Sequence, residues 1–239
     1  VSEDVAPISV KPEKEKLLRV ETESNGITYV NLFFDVSDFD LEELRLLNVL
    51  SGCFSKLHTG NTSAQALQSR IKANFGHLSA GIDQMAPPKQ LEKSAAMLEE
   101  NASKALPLLA EILTRTLYDE SDRIAEIIDQ NSYYYKQAMV SNGHMFAMLK
   151  AMAPFSREAA LQECLRGESY VTWLSDLARS FRENAPAMCE KISALAKRCF
   201  AGNRLFAAYT GKLDTALLDT LSAALPESRE ATLAARYHE

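Results

Sequence analysis

The chain has 239 residues, a net charge of −6 and a pI near 5.4, with 46% hydrophobic residues. Its Lys and Arg are scattered rather than clustered, which argues against nucleic acid and anionic membrane surfaces as partners. A single domain of this length buries roughly 70–75% of the surface its unfolded chain exposes, so no disulfide or metal staple is required. Cys53, Cys164, Cys189 and Cys199 are widely spaced and form no CxxC, so they read as buried thiols. No apolar run reaches the roughly 18 residues that span a bilayer. The opening residues lack the pattern of a secretory leader, and a cytoplasmic or organellar-matrix location is expected over secretion.

Residues 1–15 are polar, proline-punctuated and without periodicity, and read as a linker from an upstream domain. Lys16–Glu23 predicts a short strand, and Asn25-Gly26 is a hairpin signal before the next one. In that next strand Val30, Leu32, Phe34 and Val36 alternate with Tyr29, Asn31, Phe33 and Asp35, the period-2 pattern of a sheet with one buried face. Asp40 with Glu43 forms a capping box for a helix whose apolar face carries Leu41, Leu44, Leu47, Leu50, Phe54 and Leu57, and Gly60 suits a left-handed C-cap. Thr62 with Gln65 predicts a second capped helix, stopping at Gly76. His77–Ala86 alternates as a third strand, broken by Pro87-Pro88.

From Ser103 the pattern is helical: Ser103–Leu117, then Asp119 to Asn142, with Ile124, Ile127, Ile128, Tyr135, Ala138 and Met139 facing inward. Gly143 interrupts, Met145, Met148, Leu149 and Met152 resume the helical spacing, Pro154 stops it, and Ser156 caps a helix to Arg166. Glu168–Arg182 and Pro186–Phe200 are two further helices, Asn203–Gly211 a late strand, and Leu213–Leu225 a last helix. Residues 227–239 read as the start of another linker, leaving 16–226 as a single domain. The fold class is α+β, a mainly antiparallel sheet with helices packed on one face.

The chemistry is sparse. A helical zinc site needs two His one turn apart with a Glu between them, but His58, His77, His144 and His238 stand far from one another, and neither HxxEH nor HExxH occurs. Cys164 has Glu163 beside it and no nearby His, so it is not read as a nucleophile. Tyr133-Tyr134-Tyr135 point about 100° apart on one helix; two packed and one at the surface is the expectation, with contact to a neighbouring domain as the alternative. Asn142-Gly143-His144 reads as a structural kink. The Met145, Met148, Met152 stripe and Trp173 read as core, and Lys11, Lys14 and Lys16 as a solvated face. No catalytic, cofactor-binding or metal-binding residue is assigned.

Five ordered segments, SNGITYVNLFFDVSD, KLHTGNTS, NFGHLSAGI, LEENASKALPLLAEIL and SNGHMFAMLKAMAPFS, resemble the pitrilysin/insulinase-type zinc metallopeptidases. Within them the likeness is to the presequence protease group and to the third of its four related domains. The resemblance implies a strand at Leu91–Leu98, where LEKSAAML by intrinsic preference alone favours helix. It also aligns Asn48-Val49-Leu50-Ser51-Gly52 with the end of the family's HxxEH helix, which sets Glu43, Leu46 and Leu47 at the His, Glu and His positions. A non-catalytic domain is therefore implied, inactive alone and holding no cofactor, with Zn2+ in a separate N-terminal half. Its implied partners are other domains of the same polypeptide and unfolded peptide substrates. A stand-alone inactive relative acting as a scaffold is the alternative.

Overall fold

The computed structural model describes residues 9–83 and 90–227. Pro87-Pro88, residues 84–86 of the third predicted strand and residues 228–239 lie outside them. The described elements run β1 (Ser9–Lys14), β2 (Leu17–Glu21), β3 (Ile27–Asp35), α1 (Leu41–Cys53), α2 (Ala64–Asn74), β4 (His77–Asp83) and β5 (Gln90–Leu98). Then follow α3 (Ala102–Arg115), α4 (Ser121–Ser141), α5 (Gly143–Met152), α6 (Arg157–Arg166), α7 (Glu168–Ser180), α8 (Ala185–Cys199), β6 (Leu205–Thr210) and α9 (Thr215–Ala224).

The six strands form one sheet in the order β1-β2-β6-β3-β5-β4, antiparallel throughout except for the parallel pair β2 and β6. This is the α+β layer expected, with two differences. Ser9–Lys14, read as linker, is an edge strand on β2; its SVKPEK sequence shows no alternation because neither of its faces is buried. The Asn25-Gly26 turn forms as predicted, with both residues at positive φ and Ile27 N–H donating to Ser24 O over 2.9 Å. Yet β2 and β3 do not pair, because β6 lies between them. Gly211 closes the insertion at φ +95°, where a Cβ would stand 2.5 Å from the Ile27 carbonyl oxygen. Only glycine fits that approach.

One sheet face carries the core. Thr28, Val30, Leu32 and Phe34 of β3 lie beside Met97, Ala95, Lys93 and Leu91 of β5, and all are buried. The helices cover this face, with α1 against β4, α4, α6 and α8, and α3 against β5, α2 and α9. The capping box of α1 forms: Asp40 accepts from Glu43 N–H at 2.8 Å and Glu43 from Asp40 N–H at 3.0 Å. Caps of this kind are worth about 1 kcal/mol. The helix ends at Cys53, so Gly60, although left-handed at φ +60°, lies in the following loop and does not cap it. Ser63 rather than Thr62 caps α2, and Ser156 caps α6 as expected. Among the described residues, the opposite sheet face is left uncovered by the helices.

Candidate functional site

The first place to look for chemistry is α1. Leu46 and Leu47 are fully buried in the core beneath the sheet, each contributing roughly 1.5–3 kcal/mol of burial. Glu43 is committed at both oxygens: Oε2 accepts from Asp40 N–H, and Oε1 accepts from Arg198 at 2.5 Å. Two aliphatic side chains offer no donor to a cation, and the one carboxylate is already neutralised. These positions do not fit a zinc ion. No cluster of His, Cys, Asp or Glu able to hold a metal occurs among the described residues.

What surrounds Glu43 is a structural knot. Arg204, from the turn before β6, is 3% exposed and forks onto Asp38 at 2.6 and 2.8 Å while donating to the Asp35 carbonyl at 2.8 Å. Arg198 reaches Asp38 at 3.2 Å, and both guanidinium groups lie over the Phe39 ring, 4.1 and 5.0 Å from its centroid. Hydrogen bonds from Arg204 hold the Asp38 carboxyl down to about 2 against its burial. The acidic corner before α1 is thus fastened to the C-terminal part of the chain.

A second cation is buried without such a partner. Lys93 of β5 points into the core at 0% exposure, and its Nζ has no hydrogen-bond partner among the described residues. It sits over the rings of Phe54 (4.0 Å) and Phe200 (5.3 Å), whose faces attract a cation. Loss of solvation pushes its pKa down to about 7. Burial likewise pushes the Cys53 and Cys199 thiols up to about 12, and Tyr118 upward. All four cysteines are free. Sequence reasoning misses Lys93, although the alternation of Leu91, Lys93, Ala95 and Met97 carries the signal once LEKSAAML is read as a strand.

Other sequence expectations resolve as follows. Tyr135 packs edge-on against Tyr170 at 5.0 Å, but Tyr133 and Tyr134 are both exposed, so one phenol rather than two is packed. The Met145, Met148, Met152 stripe, read as core, is exposed. Trp173 is half-buried on Tyr170, its indole N–H donating to Glu42 at 3.0 Å. The break at Asn142 separates α4 from α5 as expected, and His144 at the start of α5 is exposed.

The uncovered sheet face is the remaining candidate surface. Tyr29, Asn31 and Phe33 of β3 line it beside Ala96, Ser94 and Glu92 of β5 and Thr210, Ala208 and Phe206 of β6. Phe33 and Phe206 stand 6.3 Å apart, and Ser94 Oγ donates to Asn31 at 2.9 Å. This face is flat, half-exposed and of mixed aromatic and polar character, suited to contact rather than to bond-making.

Together, a sheet backed by helices and a first helix closed to metal define a non-catalytic α+β domain. A family model for the associated domain of the M16 peptidases, subfamily C, matches residues 1–177, and the chain belongs to that family. Protein HypA of Clostridium perfringens is 25% identical over 196 residues, covering 79% of this chain and 20% of that protein. The mitochondrial presequence proteases of Yarrowia lipolytica and Drosophila melanogaster are 24% and 23% identical, over 79% and 80% of this chain and 20% and 19% of their own. The chain therefore spans about a fifth of the length of these curated relatives. A crystal structure of a peptidase M16 inactive domain from Pseudomonas fluorescens superposes with a TM-score of 0.63 at 17% identity, over 93% of this chain and 52% of that one, and shares the fold.

Proposed function

We propose that this chain is a non-catalytic domain of a longer zinc metalloendopeptidase resembling the presequence proteases, and that it forms part of the wall of a closed chamber in which peptides are degraded. The observation that carries this reading is α1, with two core leucines and a salt-bridged capping glutamate at the positions aligned with HxxEH. Zinc and the water it activates belong to another half of the protein. The contribution of this chain is geometric: a rigid sheet whose uncovered face, centred on Tyr29, Phe33 and Phe206, offers aromatic and hydrogen-bonding contacts to an extended peptide.

Two measurements test it. Peptide-hydrolysis assays on the 239-residue chain with zinc supplied should show no zinc-dependent cleavage; robust cleavage would overturn the assignment. In the intact polypeptide, Phe33→Arg should lower peptide turnover while leaving bound zinc unchanged, and unaltered turnover would remove the sheet face from the chamber. An upstream reading frame without HxxEH would favour a stand-alone scaffold instead.

A further inference from the structure

Helix α5 breaks the rule that the rest of the chain obeys. Its sequence, GHMFAMLKAM, is apolar apart from Gly143, His144 and Lys150, yet it contains no buried residue. The stretch from Val140 to Phe155 holds no Asp or Glu in a chain that has 32. Asn142 leaves helical geometry (φ −123°, ψ 35°), so α5 starts afresh instead of continuing α4. Phe146 and Leu149 are only half-buried, on the helix's inner side. Met145, Met148 and Met152, at i, i+3 and i+7, share one face and are 45%, 46% and 50% exposed. Val140 before the break and Phe155 after the helix are 81% and 86% exposed. A groove beside this face has an apolar floor of Met139, Phe146, Ala147 and Ala151, and the acid–base pair at its edge, Lys150 with Glu168 at 3.0 Å, is already neutralised.

Single exposed apolar side chains are ordinary, but an acid-free run on one helix face marks an interaction surface. Methionines suit such a surface because they repack against whatever meets them. We infer that the α5 face, from Val140 through Met145, Met148 and Met152 to Phe155, is the seat of an adjoining domain of the same polypeptide that presents an apolar surface to it. This rests on the reading of the chain as one domain of a longer protein. The occupant follows from length: the relatives continue for about four-fifths of their chains beyond the matched part, and the structural neighbour carries nearly as much chain again. A tethered domain meets this face at an effective concentration on the order of millimolar, which a second free copy does not. With its one lysine paired, the face selects for apolar contact over charge.

Methionine oxidation reads the face directly. Dilute hydrogen peroxide converts exposed Met to sulfoxide, and peptide mass spectrometry gives the rate at each site. In the intact polypeptide Met145, Met148 and Met152 should oxidise about tenfold more slowly than in the 239-residue chain, with Met97, already buried, slow in both. Met148→Glu in the intact polypeptide should restore fast oxidation of Met145 and Met152 without altering the far-ultraviolet circular dichroism. Equal rates in the two proteins would overturn the inference. Protection that appears in the short chain and grows with its concentration would overturn it too, assigning the face to a second copy. Failure of the chamber-wall reading leaves a different record: Phe33→Arg without effect on turnover while the three methionines stay protected.

Discussion

Two corners of this molecule bury a positive charge, and they do so in opposite ways. At the acidic corner Arg204 is wrapped by the Asp38 carboxylate, the Asp35 carbonyl and the Phe39 ring. In the core beneath β5, Lys93 has two aromatic faces and no carboxylate. The arginine cannot shed its proton, so the fold had to supply an anion. The lysine can, and the fold supplies a site where the neutral amine is the easier form to bury. One corner is stabilised by its charge and the other in spite of it.

The largest way to break the comparison is to remove the anion. Asp38→Asn leaves the Arg204 guanidinium buried and under-compensated, and should cost about 3 kcal/mol in urea unfolding, the low end for a broken buried pair because Asp38 itself is half-exposed. The next is Lys93→Met, which replaces the amine by an apolar side chain of similar volume and should stabilise the fold at pH 7 by about 2 kcal/mol. The sign of its pH dependence is fixed. The folded pKa, about 7, lies below that of the unfolded chain. Between about pH 7 and pH 10 the unfolded state therefore binds more protons, and wild-type stability should climb by about 1 kcal/mol per pH unit. In Lys93→Met that climb should vanish; a climb that persists would place its source elsewhere. The smallest effect is acid loosening at the paired corner. Asp38, held down to about 2, contributes stability above its unfolded pKa that is lost as pH falls from about 4 to 2. Its exposure reduces this to about 1 kcal/mol, read as the difference in acid titration between wild type and Asp38→Asn.

Much of this architecture was legible in the sequence, and particular residues show where legibility ended. The alternation through Val30, Leu32 and Phe34 and the Asp40–Glu43 box are local signals that report their own structure. The α1 leucines, read against the metal positions of relatives, turned out to be core. Three features depended on distant contacts. Asn25-Gly26 encodes a turn, but nothing local announces that residues some 180 positions later will slide between the strands it joins. Ser9–Lys14 becomes a strand only because β2 offers it an edge. The Met145, Met148, Met152 spacing was correctly helical, but periodicity gives the apolar face of a helix and not what covers it. Lys93 was hidden by helix-favouring neighbours, and its strand assignment came from family likeness.

The placement of β6 carries a consequence for biosynthesis. Translation delivers β1 to β5 first and withholds the central strand until nearly the whole chain has been made. At about 5–20 residues per second, on the order of ten seconds or more separates the emergence of β2 from that of the partner between it and β3. During that interval both flanking strands present open edges, the template on which stray strands add. The nascent chain thus depends on the late-arriving segment Leu205–Thr210 as a keystone, and a ribosome that stalls before it leaves an arch with nothing at its crown.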